Sequence, residues 1–451
     1  MTDTICAIAT APGGALGIVR LSGPEAFPIV RRICRRITTA TLPRTAVLTP
    51  IIAPKRSITA PESASPVDDA LVTLFPAPHS YTGEDCAELS CHGSRYILNK
   101  VLELLVEQGA RLAEPGEFTM RAYLNGKLDL SQAEAVADLI AADSAASHRI
   151  ALSQLRGHFS SELSQLRDQL LRLTSLLELE LDFADHEELE FADRSELLTL
   201  AQTIDSRIQR LASTFQAGNA LKQGIPVTIV GAPNVGKSTL LNALLGENRA
   251  IVSDIQGTTR DAIEDTIQIE GITFRFIDTA GIRATDDTIE QLGIERTYAA
   301  IEKATIVLWL IDQQPTEAET AEIQARCEGK TLIVIQNKID KNTACCGAVT
   351  TLPLSAKYGT GLDDLRARLV AATPTTSGED VIVTSARHYE ALLRAHDSLT
   401  RVIDGLKQQI SGDLIAEDLR ITLDALAYIT GGAITPQESL NAIFSHFCVG
   451  K

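Results

Sequence analysis

Residues 231–239 read GAPNVGKST, directly after the apolar run IPVTIVG (225–231) and before a stretch that suits a helix. The spacing G-x-x-x-x-G-K-[ST] is that of a phosphate-binding loop. Its glycines let backbone N–H groups approach phosphate oxygens that a side chain would hold off. An ordinary glycine turn does not require strand, loop and helix in this order. Lys237 is expected to reach the β and γ phosphates, and the Ser238 hydroxyl to hold Mg²⁺. Asn234, Val235, Gly236, Lys237, Ser238 and Thr239 are therefore candidate nucleotide-binding residues.

The sequence downstream extends the same reading. ITFRFIDTAG, ATIVLWLID and KTLIVIQNKID are apolar strands, each followed by a loop and a helical stretch. Strands alternating with helices predict a parallel-sheet α/β domain. NKID (337–340) sits at the carboxyl end of its strand, on the edge where such sheets bind ligands. A carboxylate at Asp340 accepts from guanine N1–H and N2–H₂, a donor pair that adenine lacks, while Asn337 holds the base edge and the loop and Lys338 between them is a further nucleotide-binding candidate. The backbone of SAK (Ser355, Ala356, Lys357) suits guanine O6. In DTAG (Asp278, Thr279, Ala280, Gly281), Asp278 would hold Mg²⁺ through water and Gly281 would sense the γ-phosphate. GTTRD (257–261) supplies Thr259 as a second Mg²⁺ hydroxyl. Five motifs in this order predict GTP binding.

Two features depart from the common pattern. Many GTPases orient the attacking water with a Gln after the DTAG glycine, but here that residue is Ile282. Glu290 and Arg283 are the local alternatives, and surface charge on a switch helix is the plainer reading of both. Asn234 inside the phosphate loop offers a side-chain carbonyl for a monovalent cation.

Around this domain the pattern changes. Up to residue 126, short β-rich runs (ICAIAT, ALGIVRLSG, DDALVTLFPAP) and one amphipathic helix ending at Gly109 predict an α+β domain. The Pro- and Thr-rich stretch 43–66 reads as a surface loop or strand connection. Ser131 and Glu134 have capping-box spacing and mark a helix start. Leu152, Leu155, Phe159, Leu163, Leu166, Leu170, Leu173 and Leu177 then recur in steps of three and four, the seam of long packed helices. Helical periodicity returns in the last seventy residues. The expected organisation is an amino-terminal domain (1–126), the first part of a helical domain (127–222), an inserted Ras-like α/β domain (223–372) and the second part of the helical domain (373–451).

A net charge of −17 argues against a chain that wraps nucleic acid over its whole surface, while leaving room for a local basic patch. Eight scattered cysteines without CxxC spacing fit reduced thiols in the cytoplasm. The amino terminus lacks the pattern of a signal peptide, and no run suits a membrane span. The chain ends AIFSHFCVGK. Gly450 and Lys451 do not fit a lipidation box around Cys448.

The phosphate loop, DIQGTTRD, DTAGIR, GIER, the amino-terminal landmarks DTICAIATAPGGALGIVRLSG, SYTGED and PGEFTMRAYLNGKLDLSQAEAVADLI, and the terminal FCVGK together resemble the MnmE (TrmE) family of tRNA-modification GTPases over essentially the whole chain. The resemblance implies a homodimer that works with an FAD- and NADH-dependent partner of the GidA/MnmG family. Together they would add an aminomethyl-type (carboxymethylaminomethyl) group at C5 of the wobble uridine of certain tRNAs, using a tetrahydrofolate-bound one-carbon unit. It implies that Arg20, Glu88, Lys127 and Lys451 hold the folate in the amino-terminal domain. It also implies K⁺-activated GTP hydrolysis, with Asn234, Ser253, Ile255 and Thr258 around K⁺ and with Asp254, Gln256, Gly257 and Thr259 in the same nucleotide-binding loop. Glu290 would orient the attacking water, and Cys448 would be the reactive thiol. Ser94 departs from the family pattern, which commonly has glycine there. A GTP-switched RNA- or ribosome-binding module is the competing expectation.

Overall fold

The computed structural model describes residues 3–11, 13–53, 66–182, 194–247, 265–277, 298–341, 350–373, 381–432, 437–445, 447, 449 and 450. The chain forms two compact units. One comprises residues 1–140, 152–205 and 394–451, the other residues 141–151 and 206–393.

In the first unit β1 (Ile5–Ile8), β2 (Leu16–Ser22), β3 (Val47–Ile51), β4 (Asp68–Phe75), β5 (Cys86–His92) and β6 (Arg111–Leu112) form a sheet in the order β3-β4-β5-β2-β1-β6. Helices α1 (Ala26–Ile33) and α2 (Arg95–Glu107) bury Ile29, Val30, Ile33, Leu98, Val101 and Leu105 with Val19, Leu21, Val72 and Leu89 of the sheet. Side chains alternate along a strand, so Val19 and Leu21 entering this core leaves Arg20 to the opposite face. Arg20 and Glu88 are register partners in the β2–β5 ladder. The fold thus pairs these two residues through the backbone before their side chains meet.

Three expectations change here. The stretch 43–66 is not all loop, because it contains β3, the edge strand of the sheet. An edge tolerates Pro50, whose missing N–H would break a central ladder. The capping box of α4 (Leu130–Ala141) lies two residues before Ser131 and Glu134. Asp129 Oδ1 accepts from Gln132 N–H (2.8 Å), and Gln132 Oε1 accepts from Asp129 N–H (3.0 Å). Ser131 is already inside the helix and donates to Asp129, because Asp caps as well as Ser and completes the same reciprocal pair. The leucine seam is broken at Gly157 (φ 82°), between α5 (Ala145–Leu155) and α6 (His158–Asp182). Leu152 and Leu155 belong to α5. From Phe159 to Leu177 the seam is buried, and α6 packs against α13 (Gly412–Thr430). Ser94, the departure from the family pattern, precedes α2 with an ordinary φ of −64°. Its neighbour Gly93 has no such latitude, since a Cβ there would lie 1.9 Å from Gly14 O.

The second unit has a sheet of β7 (Ile225–Gly231), β8 (Asp265–Ile269), β9 (Ile272–Phe276), β10 (Ile306–Ile311), β11 (Thr331–Gln336) and β12 (Leu352–Pro353), ordered β12-β11-β10-β7-β9-β8. It is parallel except for the β8–β9 hairpin. The apolar runs are buried on both faces. Val227, Ile229, Leu308 and Ile335 pack with α9 (Lys237–Glu247) and α11 (Leu362–Ala371). Val230, Val307, Trp309 and Val334 pack with Ile301 and Cys327, the latter just after α10 (Glu317–Arg326). The unit also holds α8 (Phe215–Gln223); α7 (Arg194–Ser213) and α12 (Ala386–Lys407) complete the long helices, and α14 (Gln437–Phe444) lies near the carboxyl end.

An ion-pair network with a buried centre ties the amino terminus, β5's preceding loop and a helix of the first unit together. Arg121 of α3 (Glu117–Leu124) has no exposed side-chain surface. It donates to Asp3 Oδ1 (2.9 Å), Glu117 Oε1 (3.0 Å) and Glu84 Oε2 (3.1 Å), and Arg111 donates to both Asp3 and Glu117. Removing one partner leaves buried charge uncompensated, so Arg121→Ala should cost about 3–5 kcal/mol of stability in urea unfolding; a loss under 1 kcal/mol would contradict this role. Burial alone would push the Glu117 carboxyl up, but Arg111, the Glu114 N–H and Arg121 outweigh it and hold it below 4.5. The Arg111 hydrogen bond holds Asp3 below 3.8 despite partial burial. Both groups bind protons more weakly folded than unfolded. Their contribution is present above these ordinary values and lost as pH falls through the lower folded ones. Glu117→Gln should therefore flatten the fall in stability below pH 4.5, read from unfolding midpoints across pH.

Candidate functional site

The phosphate loop leaves β7 at Gly231 (φ 150°), where a Cβ would lie 2.4 Å from Leu310 O. Asn234 (φ 62°) and Gly236 (φ 105°) continue in left-handed backbone, which Asn tolerates better than most residues. Ser238 lies in the first turn of α9. Lys237 Nζ donates to Gly231 O (2.7 Å) and Ala232 O (3.0 Å), which folds its ammonium over the loop. Burial lowers its pKa.

The NKID loop is joined to this cradle by one side chain. Asn337 is buried. Its Nδ2 donates to Val235 O (2.8 Å), and its Oδ1 accepts from Ala356 N–H (3.0 Å). One amide thus links the phosphate loop, the NKID strand end and the SAK loop. Ser355 Oγ donates to Asp340 Oδ1 (2.6 Å), and that bond holds the Asp340 carboxyl below the usual aspartate range. Ionised at neutral pH, it is an acceptor-only group, as recognition of a paired N–H edge requires. Lys338 (φ 62°) donates to Asp312 Oδ2 (2.8 Å). Asp312 escaped the sequence reading. Its signal was its place just after a β strand, on the same carboxyl edge as NKID.

The first unit carries a second polar cluster. Arg20 Nη2 lies 2.8 Å from Glu88 Oε1, both partly exposed. The guanidinium stands 5.5 Å from the Tyr81 ring centroid and 5.8 Å from that of Phe118. Tyr81 and Phe118 were likewise missed, because only folding brings the SYTGED loop and α3 to Arg20. Lys127 Nζ donates to Pro78 O (3.1 Å), so it lies against the same loop.

The carboxyl end docks beside this cluster. Phe444 and Phe447 (centroids 5.2 Å apart) enter a core with Leu130, Ala133 and Leu440. Val449 bridges Pro115. Gly450 (φ 93°) passes so close to Ile8 O that a Cβ would sit 2.4 Å away, and its carbonyl accepts from Arg20 Nη1 (3.5 Å). Gly450, which disqualified a lipidation box, is thus required by close backbone approach. Cys448 and Lys451 lie outside the described residues, as do Ser253, Asp254, Ile255, Gln256, Gly257, Thr258, Thr259, Asp278, Thr279, Ala280, Gly281, Ile282, Arg283 and Glu290. Among the described residues no group of three or more His, Cys, Asp or Glu could hold a metal, and no helix is long and apolar enough to cross a membrane.

The cradle is sensitive to one methyl group. A Cβ on Gly236 would lie 2.3 Å from Asn337 Nδ2. Gly236→Ala should push Asn337 off Val235 and weaken nucleotide binding on the order of 100-fold, about 2–3 kcal/mol, in a fluorescent-GDP titration. Unchanged affinity would show that the two loops are not held through this contact.

Comparison with known proteins covers the whole chain. Residues 4–127 match the family model described as GTP-binding protein TrmE N-terminus, and residues 130–448 match that of the MnmE helical domain. The chain is 52% identical to the tRNA modification GTPase MnmE of Phocaeicola vulgatus, over 100% of this chain and 99% of that protein. It is 52% identical to that of Bacteroides fragilis over 100% and 99%, and 50% identical to that of Parabacteroides distasonis over 100% of both. With both family models and full-length relatives in agreement, the chain belongs to the MnmE (TrmE) family of tRNA modification GTPases.

Proposed function

We propose that this protein is a K⁺-activated GTPase of tRNA wobble-uridine modification. The observation that carries the reading is the Asn337 bridge, which holds an ionised Asp340 and the SAK loop against the Lys237 phosphate loop. Guanine would pair with Asp340, the phosphates would lie along residues 234–239, and Lys237 would move from the loop carbonyls to phosphate oxygens. The left-handed loop fits a polyphosphate, because its backbone N–H groups can face phosphate oxygens, and it keeps that shape only with glycine at 231 and 236, where a Cβ would strike Leu310 O or Asn337. Ser238, Thr259 and Asp278 would hold Mg²⁺, and Asn234, Ser253, Ile255 and Thr258 would hold K⁺. These cations offset the charge that develops on the phosphates. Glu290 would orient the attacking water.

In the amino-terminal domain, Arg20, Glu88, Lys127 and Lys451 would hold a tetrahydrofolate derivative. Glu88 offers a carboxylate to the donor edge of a pterin, and Arg20 and the lysines suit its carboxylates. The docked tail supports this reading, because Gly450 already meets Arg20. The folate would supply the one-carbon unit. A cytoplasmic homodimer would act with the FAD- and NADH-dependent GidA/MnmG-family protein on C5 of the wobble uridine, with Cys448 as the reactive thiol.

GTP turnover measured in K⁺ and in Na⁺ tests the reading. Turnover should be on the order of 100-fold faster in K⁺, the scale of one lost electrostatic stabiliser; equal rates would remove the cation from the account. Cys448→Ser should leave that turnover unchanged and abolish wobble-uridine modification in nucleoside analysis of a complemented strain. Persistence of the modified base would exclude a chemical role for the thiol. Glu290→Ala should lower kcat on the order of 100-fold without weakening nucleotide binding.

A further inference from the structure

Residues 26–61 contain Arg31, Arg32, Arg35, Arg36, Arg44, Lys55 and Arg56 and no Asp or Glu, in a chain whose net charge is −17. Of the described arginines, Arg35, Arg36 and Arg44 lie beside the β3 edge of the first sheet. Arg31 and Arg32 close the last turn of α1. Residues 34–36 then run beside the edge strand β3: Cys34 bridges Ile51, Arg36 N–H donates to Thr49 Oγ1 (3.4 Å), and Arg36 Nη1 donates to Leu48 O (3.1 Å). Arg44 lies before β3, its N–H donating to Leu74 O (2.9 Å).

A local explanation exists for part of this cluster. Basic residues in a last helical turn complement the helix dipole. Arg31 lies 6.0 Å from the Phe27 ring, and Arg32 donates to Gln108 O and approaches Glu25 at 3.7 Å. That account stops at the end of α1. Among the described residues, Arg35 and Arg44 are exposed with no carboxylate partner, and Arg36 meets a main-chain carbonyl and a threonine and no carboxylate. Arg44 also occupies left-handed backbone (φ 57°), where Gly or Asn is cheaper. Guanidiniums without a carboxylate partner among the described residues, on a strongly acidic protein, suit a polyanion with regularly spaced oxygens.

We infer that this arginine edge, Arg35, Arg36 and Arg44 above all, is a docking surface for the phosphodiester backbone of the tRNA substrate. The inference rests on the reading that the protein acts on tRNA. Guanidiniums pair with phosphates in fork geometry. Such contacts position an RNA without reading its sequence, and each one releases bound counterion, so it is counted by the salt dependence of binding. The edge would orient the folded tRNA while selection of the base occurs elsewhere.

The test is anisotropy of labelled tRNA with the full-length protein across a KCl series. The R35E/R44E double variant should bind tRNA at least tenfold more weakly at about 100 mM salt, with the log–log salt slope reduced by about 1.4–1.8, some 0.7–0.9 per lost phosphate contact. Its tRNA-free GTP turnover should be unchanged. Lys407→Glu, a reversal at an exposed residue of the same unit, should leave the slope intact; an equal drop there would reduce the effect to net charge and overturn the proposal. A wild-type slope in the double variant overturns it too, leaving the proposed function standing. Loss of binding to the FAD-dependent partner with tRNA binding intact would make the edge a protein contact and likewise overturn it. Wild-type protein that hydrolyses GTP but binds no tRNA would overturn both this inference and the direct tRNA contact it assumes.

Discussion

The nucleotide site depends on one side-chain amide. Asn337 satisfies the carbonyl of Val235 in the phosphate loop and the N–H of Ala356 in the SAK loop. Both backbone groups sit where water is largely excluded, and a buried polar group left unpaired costs about 1–3 kcal/mol. The three loops therefore share one geometry. Asp340 is aimed by the same arrangement, because Ser355, next to the bonded Ala356, donates to it. Gly236 must be glycine because the amide passes where its side chain would be. Base recognition and phosphate binding are thus mechanically joined.

The first unit solves a different problem with strand alternation. Its helices take one face of the sheet, and the other face presents Arg20 and Glu88 as ladder partners. The carboxyl tail is then brought to them by burial of Phe444 and Phe447 and by a glycine that lets the backbone pass Ile8. Residues more than 400 positions apart meet because an apolar helix end has a core to enter.

Much of this was legible in the sequence, and the gaps have physical causes. The phosphate loop and the parallel strands were legible because phosphate approach and two-sided burial restrict residue choice at fixed spacing. The capping box of α4 was misplaced because Asp129 and Ser131 are comparable caps, and only the reciprocal bond from Gln132 distinguishes them. β3 was hidden because an edge strand tolerates proline. Gly157 interrupts a hydrophobic period that is continuous across it. Tyr81 and Phe118 carry no local signature, since their roles exist only through neighbours distant in sequence, and Asp312 shows only its place at a strand end, its partner Lys338 being set by the fold.

The central claim is that Asn337 holds a guanine-nucleotide site together. Calorimetric titration of GDP into the wild-type protein and into Asn337→Ala tests it most directly. The account predicts that the variant remains folded and binds GDP at least about 100-fold more weakly, the cost of two buried bonds lost together. Equal affinity in a folded variant would contradict it.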